Sequence, residues 1–454
     1  MGKFVFGVHG LRSGLNNMTA LARQLVDRGH EVVFVSFRDV AETVEHVGAQ
    51  FVLLKDGGEA IEVLRQERSS RGDLRSIRRS RLLRNELLKL EEPVRVLRAL
   101  APDVVVVDME MHGLVLTARH LGLPTVVALS FHDPMRSPNR PPMHRDLTRG
   151  DTGARVLSRL AWADLIARRR LRQAAGPLLP TAALARVLPQ MLNTTDLNSI
   201  RSMARSLDID LDAVASRHEW THPHTYVDFP IISFTVRELE LDQTSPAGVT
   251  HIGPLIDQSR FQRALLPEKR DELSAFLART GHSGRRLAYC SMGSLQAANH
   301  SYYQTVIDAF RDRAGWGLIL GLGSQGNDLQ LAFDPQRALA LDDAPQVEIL
   351  SHVDVAIHPG GLGTFYECLR FEVPSIIVHT GKTDMPGNAA RTRHFGLGVV
   401  RDWSKVTADQ LGQDAVELAG GSCASAQRRF AQVIRDYENR AEGVAVLERM
   451  LTRV

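Results

Sequence analysis

The chain has 454 residues, 44% of them apolar and 24% charged, an ordinary globular composition that excludes a wholly disordered protein. Its 55 Lys and Arg against 52 Asp and Glu leave a net charge of +3, too balanced for a dedicated nucleic-acid binder. Three cysteines, Cys290, Cys368 and Cys423, without CxxC spacing exclude a disulfide scaffold and a Cys-rich zinc site. The length suggests two or three domains. No apolar run reaches the ~18 residues of a transmembrane helix. The first eight residues carry one positive charge and a very short apolar run, so they read as a strand rather than a signal peptide. A cytoplasmic protein is the expectation.

Phe4–Val8 is a continuous apolar run, as expected of a strand buried on both faces. A helix over about 17–28 follows, with Gly29 as its C′ cap. Glu31–Ser36 is the next strand, and this β–α–β unit implies a parallel sheet. Strands are predicted over 51–54, 103–107 and 125–129, with a helix over 112–121. Residues 65–98 are rich in arginine with interleaved leucines. They read first as a solvated helix face, with peripheral contact to an anionic membrane as the weaker alternative.

From about 133 to 245 the alternation weakens. Prolines 138, 141 and 142 mark a loop, and helices are predicted over 155–175 and 182–205, an insertion in the first domain. Strands over 230–234 and 249–254 close that domain at residue 254. The charged stretch 255–285 reads as a linker, and residues 286–454 as a second domain. There, strands are predicted over 286–291, 317–321, 347–350, 355–358 and 375–378, with helices over 303–311 and 364–371. Two doubly wound α/β domains follow, in which ligands bind beyond the carboxyl ends of the strands.

The segment His358-Pro359-Gly360-Gly361-Leu362-Gly363-Thr364-Phe365-Tyr366-Glu367 lies between a strand and a helix. Its glycines allow close approach of the backbone, and the helix start behind them suits a phosphate. Ala344-Pro345-Gln346 stands upstream and Asp384-Met385-Pro386-Gly387-Asn388 downstream. In this order and spacing the region resembles the nucleotide-sugar signature of family-1 glycosyltransferases, the UDP-glycosyltransferase superfamily. The amino-terminal pattern from Leu21 to Val32 and His251-Ile252-Gly253-Pro254 also resemble that family.

The resemblance implies the GT-B architecture of two facing Rossmann-like domains, with the last helix packing back on the first domain. It implies an inverting transfer from a UDP- or dTDP-sugar to a small, apolar natural-product acceptor, with the nucleotide sugar as co-substrate, no other cofactor and no metal. Gln346 and Val347 would meet the base; Gly360, Gly361, Gly363 and Thr364 would surround the diphosphate. Glu367 would hold the ribose, Ser291, Gly293 and Ser294 would close on the phosphates, and Asp384 would contact the sugar. The family's phosphate-binding histidine is Pro359 here, leaving His358 to rotate in. Asp343 replaces the aromatic residue that often stacks on the base, and Met385 the glutamine after the sugar-binding aspartate. Gly14 stands in place of the catalytic histidine, although Asp108 matches its aspartate partner. The base is then to be sought among His9, Asp108 and His112, with His9 supported by Asp108 favoured. A catalytically silent GT-B binding partner and, more remotely, a sugar-nucleotide epimerase are the alternative functions. A monomer and a homodimer both stay open.

Overall fold

The computed structural model describes the chain apart from residues 11, 56–88, 138, 147–151, 176–196, 216–225, 243–247, 258–266, 294–298, 324–328, 380, 382–383 and 453–454. Arginines 65–84 of the basic run, Ser294 and the first part of the helix expected over 182–205 lie outside the described residues.

The first sheet is seven-stranded and wholly parallel, in the order β3-β2-β1-β4-β5-β6-β7. In chain order, β1 (Lys3–Gly7) leads to α1 (Arg12–Val26), β2 (Glu31–Ser36), α2 (Ala41–Glu45) and β3 (Gln50–Leu53). Then come α3 (Glu91–Leu100), β4 (Val104–Asp108), α4 (His112–His120) and β5 (Thr125–Leu129). Helices α5 (Thr152–Ala175), α6 (Leu197–Ser206) and α7 (Leu211–Val214) precede β6 (Ile231–Ser233) and β7 (Val249–His251). The central strands are unbroken valine-rich runs because helices cover both faces. Met18, Leu21, Ala22 and Leu25 recur at the 3.6-residue period and bury one face of α1.

The second sheet is six-stranded and parallel, in the order β10-β9-β8-β11-β12-β13. It is built from α8 (Pro267–His282), β8 (Arg286–Ser291), α9 (His300–Arg311), β9 (Trp316–Gly321), β10 (Ala338–Leu341) and α10 (Gln346–Leu350). These are followed by β11 (Val355–His358), α11 (Leu362–Arg370), β12 (Ser375–His379), α12 (Met385–Phe395) and β13 (Gly398–Asp402). Helices α13 (Ala408–Ala419), α14 (Ala424–Arg440) and α15 (Glu442–Leu451) complete the chain.

Two expectations are corrected. Residues 347–350 form a single helical turn, not a strand. Pro345 sets its start, and Val347, Ile349 and Leu350 are buried from the helical conformation. The edge strand is β10 instead. Most of the charged stretch assigned to a linker is α8, which lays Leu273 and Phe276 on the second core beside Leu287 and Leu339.

The chain crosses back at its end. Ala441, in the left-handed conformation, separates α14 from α15, and Val444 and Leu447 of α15 enter the first-domain core with Phe4 and Leu21. Gly253 has φ of +75°, and a Cβ there would lie 2.5 Å from Cβ of Tyr437 on α14. Glycine at this position therefore permits the close approach between the domain junction and the returning helix. Among the described residues, no helix is long and apolar enough to cross a membrane.

A buried polar cluster joins the domains. Arg391 of α12 donates to the carbonyl of Leu239 (2.9 Å) and to Glu240 Oε2 (2.7 Å). Glu240 Oε1 accepts from His132 Nδ1 (2.9 Å) and from the amide of Asp133 (3.2 Å). All three side chains are buried. The positive neighbours hold Glu240 well below the usual carboxylate range despite its burial, while burial lowers His132 to about 4, so its imidazole is neutral at pH 7. Removing the cation takes from the buried Glu240 carboxylate its ion pair with Arg391. Arg391→Met should therefore cost about 3–5 kcal/mol, read as a lowered urea midpoint; a change below about 1 kcal/mol would show that the cluster does not hold the domains.

Candidate active site

Each sheet has one place where neighbouring strands send their connections to opposite sides, and there a crevice opens at the carboxyl ends. In the first sheet it lies between β1 and β4, in the second between β8 and β11. The described residues singled out from sequence lie on the elements that flank these two places.

In the second domain, Ser291 ends β8, Gln346 begins α10, and Thr364 and Glu367 lie on the first turns of α11. Gln346 joins them. Its Oε1 accepts from the hydroxyls of Tyr289 (3.1 Å) and Ser291 (3.3 Å), and its Nε2 donates to Thr364 Oγ1 (3.2 Å) and to Glu367. Every polar valence of the amide is used, which fixes its orientation and presents Glu367, only 4% exposed, at a set position. The side chain of Gln346 is thus committed to organising the site, and its backbone amide donates to the Ala344 carbonyl (2.8 Å). Val347 points its side chain into the protein.

The loop before α11 is shaped by His358, which is 1% exposed. Its Nδ1 accepts the Gly360 amide (3.1 Å), so Nε2 carries the proton and donates to Ser375 Oγ (3.1 Å). The expected rotation of His358 toward a phosphate is not found, because both ring nitrogens serve the loop and the neighbouring strand. Gly360 has φ of +92°, and a Cβ there would meet Ile377 at 2.9 Å. At Gly361, Gly363 and Gly293, by contrast, a Cβ would meet nothing within 4 Å. These glycines leave open space beside the first-turn N–H groups of α11, which have no intrahelical partner. Asp384 stands directly before α12 without a side-chain cap to the helix, and accepts from Asn388 Nδ2 (3.0 Å), which also donates to the Gly360 carbonyl (2.8 Å).

In the first domain, Gly14 and Asp108 meet as their alignment implied. A Cβ on Gly14 would lie 2.9 Å from Asp108 Oδ2 and 3.6 Å from Ser130 Oγ. Asp108 is buried, and its Oδ1 accepts the Glu110 amide (3.0 Å). Burial raises both Asp108 and Glu110, and Glu110 is raised further by repulsion from Asp108 and from Asp384 across the cleft. Both carboxyls are thus driven toward higher proton affinity than in water.

The histidines are arranged otherwise than expected. No hydrogen bond joins His9 to Asp108. Burial and the charge of Arg38 lower His9 to about 4, which makes it a weak base, and its Nδ1 is buried without a partner. His112 lies buried at the start of α4, with Nδ1 bonded to the Tyr226 hydroxyl at 2.6 Å. It is a packed core histidine. Sequence reasoning missed Tyr289, Asn388, Glu110 and Ser130. Asn388 had a signal, since it stands four residues after Asp384 on one helix face. Ser130 had one too, directly after β5, next to the strand that Asp108 ends.

His358 gives the site a pH signature. Burial lowers it to about 3 from an ordinary 6.5. The unfolded chain takes up this proton first, so the stability that His358 contributes is complete above about pH 6.5 and is lost as pH falls toward 3. His358→Asn should show a shallower loss of urea midpoint between pH 6 and 4 than the parent chain; parallel slopes would contradict this account.

No family model matches the chain. It is 30% identical over 131 residues to the demethyllactenocin mycarosyltransferase of Streptomyces fradiae, a match that covers 28% of this chain and 27% of that enzyme. The sequence likeness thus spans about a quarter of that relative's length. Among solved structures, the glycotransferase of kitacinnamycin superposes with a TM-score of 0.70 at 20% identity, over 99% of this chain and 98% of that one. Glycosyltransferase VinC, solved in complex with dTDP, does so with a TM-score of 0.61 at 16% identity, over the full length of both. The two facing parallel sheets are the GT-B fold.

Proposed function

We infer that this chain belongs to the family-1 glycosyltransferases and moves a sugar, with inversion, from a nucleoside diphosphate sugar to a hydroxyl or amine of a small apolar acceptor. The observation that carries this reading is the Gln346 network. It joins the residues expected around a ribose and a diphosphate, at the switch point of one sheet, opposite a carboxylate at the switch point of the other. The solved neighbour with dTDP supports a thymidine or uridine diphosphate as the donor's leaving group.

In this reading Glu367 accepts the ribose hydroxyls. Thr364 and the amides of Gly361 and Gly363 meet the diphosphate at the positive end of α11, where preorganised N–H groups stabilise the charge that develops as the sugar leaves. Ser291 and Gly293 close from β8, and Asp384, held by Asn388, meets the sugar. The mouth of the cleft lies in first-domain loops, which set the acceptor. Gly14 in place of a histidine favours the second reading, a nucleotide-binding protein without turnover.

Calorimetry with UDP and dTDP tests the donor site. At least one should bind. Glu367→Ala should lose about tenfold or more of that affinity, as for a charge-assisted hydrogen bond of about 1.5–3 kcal/mol. Thr364→Trp, which fills the space before α11, should abolish binding. Unchanged affinity in both variants would remove the assignment. Wild-type binding without sugar transfer to any acceptor, followed by mass spectrometry, would favour the silent protein.

A further inference from the structure

Three observations meet at Gly14. Because residue 14 has no side chain, the Asp108 carboxylate stands where one would begin, with Oδ2 2.9 Å from the position of a Cβ. Asp108 is 6% exposed, and only its Oδ1 is engaged, by the Glu110 amide. On the other side of the same point, 3.6 Å away, lies Ser130 Oγ, a buried hydroxyl oxygen without a hydrogen-bond partner. Two oxygens from adjacent strand ends, β4 and β5, thus converge on one spot at the β1–β4 switch point, each with hydrogen-bonding capacity left over. A buried polar atom left unsatisfied costs stability, so its retention points to a group that arrives from outside.

We propose that the acceptor's nucleophilic hydroxyl or amine docks beside Gly14, between Asp108 Oδ2 and Ser130 Oγ, and that Asp108 takes its proton directly while Ser130 orients it. This rests on the glycosyltransferase reading above and adds to it the base, an orienting residue and the reason for glycine at position 14. The nucleophile's lone pair forms the bond to the anomeric carbon. The bond from that carbon to the diphosphate oxygen breaks and takes its electron pair to the nucleotide. The nucleophile's proton goes to Asp108 Oδ2.

The rest of the site agrees with this assignment. His9 and His112 do not bond to Asp108: the first is depressed beside Arg38, the second is tied to Tyr226. Burial raises the proton affinity of Asp108 above that of a solvated carboxylate, in the direction a base at neutral pH requires. Glycine at 14 is then a requirement, because a methyl group there would displace the carboxylate.

The test uses the whole protein, with UDP-glucose and dTDP-glucose as donors and phenol and 4-nitrophenol as acceptors, and nucleotide affinity by calorimetry as the control for folding. Asp108→Asn should keep nucleotide affinity and lose about 10²–10⁴-fold in transfer to phenol. The loss with 4-nitrophenol, which ionises unaided near neutral pH, should be clearly smaller, a difference that mere structural damage does not produce. Ser130→Ala should raise the acceptor KM about fivefold or more, as for one lost hydrogen bond, with a smaller change in kcat. Gly14→Ala should resemble Asp108→Asn. Transfer within about threefold of wild type in Asp108→Asn, or loss on His9→Ala with Asp108→Asn spared, overturns the proposal. Wild-type protein that binds nucleotide but transfers to neither acceptor overturns it and leaves the donor site standing. Absence of nucleotide binding overturns the donor reading itself.

Discussion

The contact between Arg391 and Glu240 is the constraint on which the cleft depends. Glu240 belongs to the segment after β6, Arg391 to the helix after β12, and their ion pair is buried with His132 at the junction. Around it, Val236 and Leu239 of the first domain pack with Phe365 and Tyr366 of α11, and the Val236 amide donates to the Tyr366 hydroxyl at 3.1 Å. The helix that bears the glycine loop at its start is therefore clamped to the first domain near its middle. Asp146 adds a second tie, to His379 and Arg393. A backbone contact adds a third: a Cβ on Gly387 would stand 2.5 Å from the Met143 carbonyl oxygen. The two switch points face each other because these contacts leave little freedom for anything else.

Each half of the cleft solves a different electrostatic problem. On the second-domain side the Gln346 amide, with its hydrogen bonds made, and the start of α11 set neutral dipoles beside the Glu367 carboxylate, and in the proposed reading such dipoles would stabilise the leaving diphosphate. The first-domain side gathers carboxyls, and burial, with repulsion acting on Glu110, drives them toward higher proton affinity. Asp384 takes part in both, bound to Asn388 on one side and acting electrostatically on Glu110 on the other.

The buried parallel strands were legible because a strand covered on both faces needs an unbroken apolar run, and Val104–Val107 can be little else. Short apolar runs without a clear period were not legible. Residues 347–350 fit a strand or a turn of helix equally, and only the surroundings after Pro345 decide. Helix α8 was hidden by composition, since two buried apolar side chains suffice to seat it among many charges. The residues from Gln346 to Asp384 were legible because they cluster within one stretch of chain. Gly14 and Asp108 were legible only through the resemblance, and the place of Ser130 beside them was not, because it exists only once neighbouring strands are in register. A histidine has no outward sign of whether it will be buried against Arg38 or against Tyr226.

The return of α15 to the first domain also governs the order in which this protein can be made. Its Val444 and Leu447 belong to the same apolar cluster as Phe4, Leu21 and Phe34, while Glu448 receives Arg28 and His30. During synthesis the first sheet can form early, but one face of α1 stays uncovered until α15 has emerged. The core of the amino-terminal domain thus closes only after the second sheet has been made. Its exposed leucines must be shielded from other nascent chains in the meantime, and a chain that stops at Ala441 lacks part of the core of the domain farthest from its break.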